Sequence, residues 1–106
     1  MASVNKLSTE ELSDLLASEE DFTLLDVRPK SLYDQGHITK AQSMTLTAIR
    51  HEAEAKLTDK HAKIVLYCHN GRKSSEAARS LVEQGYTDVY DTAGLIDWPY
   101  VLEKTR

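Results

Sequence analysis

Cysteine is almost absent from this sequence. Cys68 is the one thiol among 106 residues, so the chain cannot form an internal disulfide, and a lone thiol is typical of proteins in a reducing compartment. Long apolar runs are also missing, both the roughly 20 residues of a membrane-spanning helix and the shorter apolar core of a secretory leader. These absences predict a cytoplasmic protein without membrane contact; if a leader had been removed, the protein would be periplasmic.

Proline and glycine are scarce, with two prolines and four glycines, and no segment has the composition of a flexible linker. We therefore predict a single domain over residues 1–106, which is an ordinary domain size. Hydrophobic residues make up 41% of the chain and charged residues 28%, as expected for a globular protein rather than a disordered one. The net charge of -4 argues against nucleic acid as a partner.

Apolar residues recur with the periods of strands and helices in alternating segments. The predicted strands cover residues 22–27 and 64–67 and parts of 41–46 and 87–92. The predicted helices begin at residue 8 and cover 47–57 and 75–84, with a short helix or turn at 31–38 and a final turn and short helix at 94–104. This alternation predicts an α/β fold, a mainly parallel sheet with helices on both faces. Ligands of such sheets bind beyond the carboxyl ends of the strands.

Several residues have the character of helix caps. Ser8 and Glu11 have the spacing of a capping box, and Gly85 follows the helix at 75–84, where a C-terminal glycine belongs. Ser74 or Ser75 is expected to cap the start of that helix, because a serine hydroxyl can accept a hydrogen bond from a free N–H group of the first turn.

The segment YCHNGRKSS joins the most strand-like run of the chain to this helix. Cys68 ends the strand, Gly71 permits a positive φ, and Arg72 and Lys73 add positive charge near the helix N-terminus. Inward-facing N–H groups of such a loop form a concave site for anions, and they favour a thiolate over a thiol. A lone cysteine in a strand is more often a small buried apolar residue. The loop that follows favours a nucleophile instead.

The spacing between Cys68 and the loop arginine separates two chemistries. Phosphatase loops of the form CxxxxxR place an arginine six residues after the cysteine, where it holds phosphate bidentately. Here that position is Ser74, and Arg72 comes two residues earlier. A tighter loop suits a smaller transferred atom, such as a sulfane sulfur carried as a persulfide.

Four segments, in this order, resemble motifs of the rhodanese family, in particular its small single-domain thiosulfate sulfurtransferases. LLDVR, with Asp26 and Arg28, is similar to the DVR strand end of the family, and YDQGHI is similar to its GHI motif. YCHNGRKS resembles its active-site loop, and GYTDVYDTAGLIDW resembles its C-terminal segment. The resemblance implies a parallel sheet of about five strands. It also implies a sulfurtransferase that needs no cofactor or metal and carries sulfur from an anionic donor such as thiosulfate, through a persulfide, to cyanide or a biological thiol.

The resemblance and the loop together suggest a role for each site residue. Cys68 is the expected catalytic nucleophile, with Asp26 and Arg28 supporting the floor of the loop. The expected substrate-binding residues are His69, Asn70, Gly71, Arg72, Lys73 and Ser74. His69 is expected to line the pocket mouth rather than to act as a base.

The sequence departs from the family pattern at three places near these residues. Lys73 stands where many members have arginine and offers a point charge instead of a fork. Leu32 replaces a frequent glutamate, which removes one partner of Arg28. The paired glycine near the C-terminus is Ala93-Gly94.

Two other functions fit parts of this pattern. A persulfide carrier or signalling module would use the same loop and would serve a protein partner, such as a thioredoxin-like or other thiol protein. A cysteine phosphatase or arsenate reductase is less favoured, because the loop arginine comes too early.

Overall fold

Five strands alternate with four helices in the computed structural model, which describes residues 3–92 and 94–105. The strands are β1 (Asn5–Leu7), β2 (Thr23–Asp26), β3 (Ala41–Ser43), β4 (Ile64–Tyr67) and β5 (Val89–Thr92). The helices are α1 (Thr9–Ala17), α2 (Lys30–Gln35), α3 (Leu46–Lys56) and α4 (Arg72–Glu83), followed by a single 3-10 turn at Leu95–Asp97.

The strands form one parallel sheet in the order β1-β5-β4-β2-β3. β4 lies at its centre and all four of its residues are buried, which explains why its sequence is an unbroken apolar run. The predicted α/β fold with a parallel sheet is therefore confirmed.

Alternate residues of each strand face two separate apolar layers. Leu25, Leu66 and Cys68 lie in the layer covered by α3 and α4. Leu24 and Tyr67 lie in the opposite layer, with residues of α1 and the C-terminal segment. Because successive strand residues point to opposite faces, Cys68 and Tyr67 are neighbours in the chain and lie on different sides of the sheet.

Two predicted helix ends are present. The hydroxyl of Ser8 accepts the N–H of Glu11, and the Glu11 carboxylate accepts the N–H of Ser8, so the capping box is complete. Gly85 has a φ of 100° and follows α4, whose last turn is closed by hydrogen bonds from the N–H groups of Gly85 and Tyr86.

The structure differs from the expectation at both ends of the chain. β1 was not predicted, because three residues with an exposed lysine lack a strand pattern, and β5 is the strand that pairs with them. The final turn expected within 94–104 is a 3-10 turn at Leu95–Asp97, but the described residues after it form no further helix, and Glu103 forms an antiparallel bridge with His37 instead. Ala93, the first residue of the expected glycine pair, lies outside the described residues.

Candidate active site

The sulfur of Cys68 lies at the carboxyl end of the central strand and is almost fully buried. The Cys68 side chain follows β4 and points into the apolar layer covered by α3 and α4, and the loop after Cys68 folds back over its sulfur. The Gly71 N–H donates to Sγ at 3.0 Å and the Ser74 N–H at 3.4 Å. Sγ in turn donates to the Ser74 hydroxyl at 3.5 Å, and that hydroxyl donates to the Gly71 carbonyl at 3.3 Å. Sγ is therefore the acceptor of two backbone N–H groups of the loop.

Gly71 sets the curl of this loop. Its φ of 89° lies in the left-handed region, and a built Cβ there would meet no atom within 4 Å, so the requirement comes from the backbone angle rather than from crowding. The turn brings its own N–H group and that of Ser74 within hydrogen-bonding distance of Sγ.

The helix α4 begins earlier than expected. Its N-cap is Gly71 rather than Ser74 or Ser75, and the first helical residue is Arg72. The side-chain oxygen of Asn70 accepts the Arg72 N–H at 3.1 Å and replaces the expected serine cap. The Arg72 N–H is therefore engaged within the protein, whereas the N–H groups of Asn70 and Lys73 donate to no other described residue.

The start of α4 carries positive charge, although helix starts usually favour acidic residues. Arg72 and Lys73 occupy the first turn of α4, which contains no acidic residue. Cations there are disfavoured by the positive end of the helix dipole. The two cations occupy the helix start despite this cost, next to the buried sulfur. Their charges and the positive end of the helix dipole all favour an anion at this position.

A cavity of about 420 Å³ opens beside Cys68. Its lining residues comprise cationic, apolar and loop side chains and one acidic side chain, namely Arg28, Pro29, Leu32, Leu46, Cys68, His69, Asn70, Arg72, Lys73 and Glu76. Ser74 is buried behind the loop, at the position where a phosphatase loop has its arginine. The cavity is thus large enough for a small anion and lacks a guanidinium at that position.

The C-terminal segment holds the outer side of the loop, a contact that sequence reasoning missed. The Leu95 N–H donates to the Cys68 carbonyl at 2.7 Å, and the Ile96 N–H donates to the His69 carbonyl at 3.1 Å. The approach is so close that a Cβ on Gly94 would lie 2.1 Å from the His69 oxygen. Gly94 was the one indication of this contact in the sequence, since only glycine lets the two backbone segments lie so close together.

Asp26 and Arg28 form a buried pair on the other side of the sheet from Sγ. The Arg28 guanidinium donates to both Asp26 oxygens and to the Gly36 carbonyl. The Tyr67 hydroxyl donates to Asp26 at 2.7 Å and accepts the Ile38 N–H at 3.0 Å. These hydrogen bonds join β2 and β4 to the 36–38 turn rather than to the loop, although Arg28 also lines the cavity.

The pKa values in this cluster follow from its burial and charges. Burial raises the pKa of Tyr67 well above its usual range, and the hydrogen bond to the Asp26 carboxylate adds to the effect. Burial alone would lower the pKa of Arg28, but the hydrogen bond and charge of Asp26 outweigh it, and the pKa is raised. The cluster therefore keeps Tyr67 as a neutral phenol and Arg28 as a guanidinium cation at neutral pH.

The described residues contain no group of three or more His, Cys, Asp or Glu side chains that could hold a metal ion. Among them, no helix is both long and apolar enough to cross a membrane.

Comparison with known proteins places the chain in a family. The profile of the rhodanese-like domain matches residues 8–97. Thiosulfate sulfurtransferase GlpE of Coxiella burnetii is 32% identical over 79 residues, covering 74% of this chain and 72% of GlpE. YrkF of Bacillus subtilis, named as a sulfur carrier protein, is 31% identical over 98 residues, covering 92% of this chain and 52% of YrkF. A solved structure titled as a rhodanese with anions, from E. coli, matches with a TM-score of 0.72 and 31% identity, covering 79% of this chain and 99% of its own. The chain belongs to the rhodanese family.

Proposed function

We propose that this protein is a thiosulfate sulfurtransferase in which Cys68 carries the sulfur as a persulfide. The observation that carries the proposal is the pair of loop N–H groups that donate to Sγ, at the end of a strand and beside a cavity with three cationic side chains. The name of GlpE supports thiosulfate as the donor. Such N–H donors stabilise negative charge on sulfur before and after each transfer.

The first half-reaction loads the cysteine. The Cys68 thiolate attacks the outer sulfur of thiosulfate, a bond forms between the two sulfurs, and the outer sulfur's bond to the sulfite sulfur breaks. Sulfite leaves with the electron pair, and the negative charge of the persulfide lies on its terminal sulfur. The exposed cations Arg72 and Lys73 attract the dianionic donor, and the unused N–H groups of Asn70 and Lys73 are available to the terminal sulfur.

The second half-reaction transfers that sulfur to an acceptor. Cyanide or a thiolate attacks the terminal sulfur, the bond to Sγ breaks, and Cys68 regains its thiolate. The product is thiocyanate or a new persulfide. The mechanism uses no general base, which agrees with the position of His69 at the cavity wall.

Intact mass spectrometry tests this proposal. The reduced protein should gain the mass of one sulfur atom with thiosulfate and lose it with cyanide, and Cys68→Ser should gain nothing. Lys104→Gln, a charge change away from the cavity, should load like the unchanged protein. Failure of the unchanged protein to gain sulfur from thiosulfate would contradict the proposal.

A persulfide carrier is the second candidate, favoured by the similarity to YrkF, which is twice as long as the matched segment. In that case, the loop would hold sulfur for one protein partner and turn over slowly with small acceptors. Multiple turnovers with thiosulfate and cyanide, measured as thiocyanate released per protein, favour the enzyme. Sulfur loading followed by no turnover favours the carrier.

A further inference from the structure

The active-site loop contains the pair Asn70-Gly71, and the proposed sulfur chemistry does not use the side-chain amide of Asn70. The chain has two asparagines, Asn5 and Asn70, and Asn70 is the one that precedes a glycine. The backbone nitrogen of the next residue can attack an asparagine amide, and glycine there hinders the attack least because it has no Cβ. Of the two asparagines, Asn70 is therefore the one with the lower steric barrier to this reaction.

The folded loop leaves this pair open to reaction. Asn70 is exposed, and a Cβ built on Gly71 would meet no atom within 4 Å, so no other segment packs against this side of the turn. The Asn70 Oδ1 accepts the Arg72 N–H at 3.1 Å, which turns the side chain back toward the residues that follow it. The side-chain amide is therefore held beside the Gly71 peptide, whose nitrogen can attack it.

The groups that favour an anion in this loop also favour the attack. It places negative charge on Oδ1 of Asn70, to which the Arg72 N–H already donates, and Arg72 and Lys73 carry positive charge in the same turn. The Gly71 nitrogen must lose its proton, and its N–H already donates to Cys68 Sγ at 3.0 Å. The loop thus holds a nucleophile, an electrophile, a donor for the oxyanion and a proton acceptor at neighbouring residues.

We propose that Asn70 is a site of spontaneous deamidation that inactivates the active-site loop. The Gly71 nitrogen attacks Cγ of Asn70, so that a ring closes, and the bond from Cγ to the side-chain nitrogen breaks. That nitrogen leaves with the electron pair and takes up the Gly71 proton through Sγ, which releases ammonia. Water then opens the ring at either of its two carbonyl groups and leaves aspartate or isoaspartate at position 70.

Both products oppose the binding of an anionic sulfur donor. Each adds a negative charge next to Arg72 and Lys73, so we expect the aspartate form to load sulfur severalfold more slowly. Isoaspartate also adds a methylene group to the main chain and displaces the N–H groups of the loop, so its loading should fall at least about tenfold. The modification itself needs no persulfide, whereas its effect on loading rests on the proposed function.

Peptide mapping of the folded protein, incubated for days at pH 8, measures the modification, because deamidation replaces an NH2 group by OH and chromatography separates the two products. Position 70 should be modified while Asn5, which precedes a lysine, stays intact. Cys68→Ser should be modified severalfold more slowly, since a hydroxyl is a poorer proton acceptor than a thiolate. Equal rates in the two folded proteins would contradict the proton transfer to Sγ. An intact Asn70 in the folded protein, when protein unfolded in guanidinium chloride is modified, would overturn the proposal.

Sulfur loading during the same incubation tests the inactivation. Loading by the unchanged protein and by Asn5→Gln should decline in step with modification at position 70. Asn70→Gln would have to close a larger ring, so it should keep its own starting rate. Asn70→Asp retains an oxygen for the Arg72 N–H and should load severalfold more slowly from the start.

Two results separate this inference from the proposed function. If position 70 is modified while loading stays constant, the inactivation is wrong and the sulfurtransferase proposal stands. If position 70 is modified as expected but fresh protein gains no sulfur from thiosulfate, Asn70 is a deamidation site and the sulfurtransferase proposal is wrong.

Discussion

The buried hydroxyl of Tyr67 joins three segments of the chain, namely β4, the end of β2 at Asp26 and the turn at Ile38. Tyr67→Phe would leave the Ile38 N–H without its acceptor and would remove one of the hydrogen bonds to Asp26 Oδ2, which Arg28 would still contact. We expect the free energy of unfolding to fall by about 1–3 kcal/mol, the usual cost of an unsatisfied buried group. Urea unfolding measures this loss. Tyr100→Phe, at an exposed phenol, should change it by less than about 0.5 kcal/mol.

Sulfur loading provides the second readout for this residue. The Tyr67 ring lies on the face of the sheet away from Sγ, so folded Tyr67→Phe should load sulfur like the unchanged protein. A variant that kept full stability but lost sulfur loading would place Tyr67 in the chemistry and contradict this structural role.

The same hydroxyl predicts how stability changes at high pH. Burial, with the Asp26 hydrogen bond, raises the pKa of Tyr67 in the folded state, while an unfolded tyrosine has a pKa of about 10. Its contribution is fully present below that value and is lost as pH rises above it, because the unfolded chain then releases a proton that the folded chain keeps. Urea unfolding between pH 9 and pH 11 should show a decline that is shallower in Tyr67→Phe. Equal slopes in the two proteins would contradict the shifted pKa.

At the scale of elements, the loop after Cys68 depends on a segment about 25 residues later in the chain. Gly94→Ala would place a methyl group 2.1 Å from the His69 carbonyl oxygen, so the loop or the 3-10 turn must move. We expect a loss of sulfur loading of at least about tenfold, because small displacements of positioned groups are costly to rate. The rate of persulfide formation in stopped-flow or quenched mass spectrometry measures it.

Gly85→Ala is the matched control for this change. It also replaces a glycine by alanine, and its φ of 100° makes alanine strained. It lies at the far end of α4, however, so it should lower stability and leave loading by the folded protein unchanged. If both variants lost loading equally, general destabilisation rather than loop position would be the cause.

The elements that could be predicted from sequence are those whose pattern is local. The run at Ile64–Tyr67 indicated the central strand because a strand buried on both faces needs no alternation. β1 could not be recognised, since only its pairing with β5 makes it a strand. The start of α4 was misplaced because Ser74 and Ser75 are common caps, whereas the actual boundary depends on the positive φ of Gly71 and the side chain of Asn70.

The candidate site was likewise predictable where it depends on local sequence and not where it depends on contacts between distant segments. The position of Cys68 and its loop followed from the order strand, cysteine, glycine and helix. The roles of Gly94 and Ile96 did not, because they depend on backbone contacts between distant segments. Asp26 and Arg28 were expected beneath the loop; strand alternation directs the Asp26 carboxylate to Tyr67 on the opposite face, while Arg28 also lines the cavity.

At the scale of the whole molecule, the net charge and the site charge have opposite signs. The chain carries -4, which repels an anionic donor, while Arg28, Arg72 and Lys73 line the cavity. The molecule measures 35 × 27 × 23 Å, and the Debye length is about 10 Å at 0.1 M salt. Distant acidic residues are therefore largely screened at the cavity, and we expect the nearby cations, offset in part by Glu76, to govern the approach of an anion.

The salt dependence of sulfur loading shows whether the cavity cations or the net charge of the protein controls the approach of thiosulfate. If the cations dominate, the second-order rate constant for loading by thiosulfate falls as salt rises from 0.02 to 0.3 M, because screening weakens the attraction. Lys73→Gln should lower the rate constant severalfold at low salt and flatten this dependence. Lys104→Gln removes the same charge from a residue that does not line the cavity and should change neither. A rate constant that rises with salt would mean that the net charge of -4 governs the approach of the donor, and the cavity cations would then act only after binding.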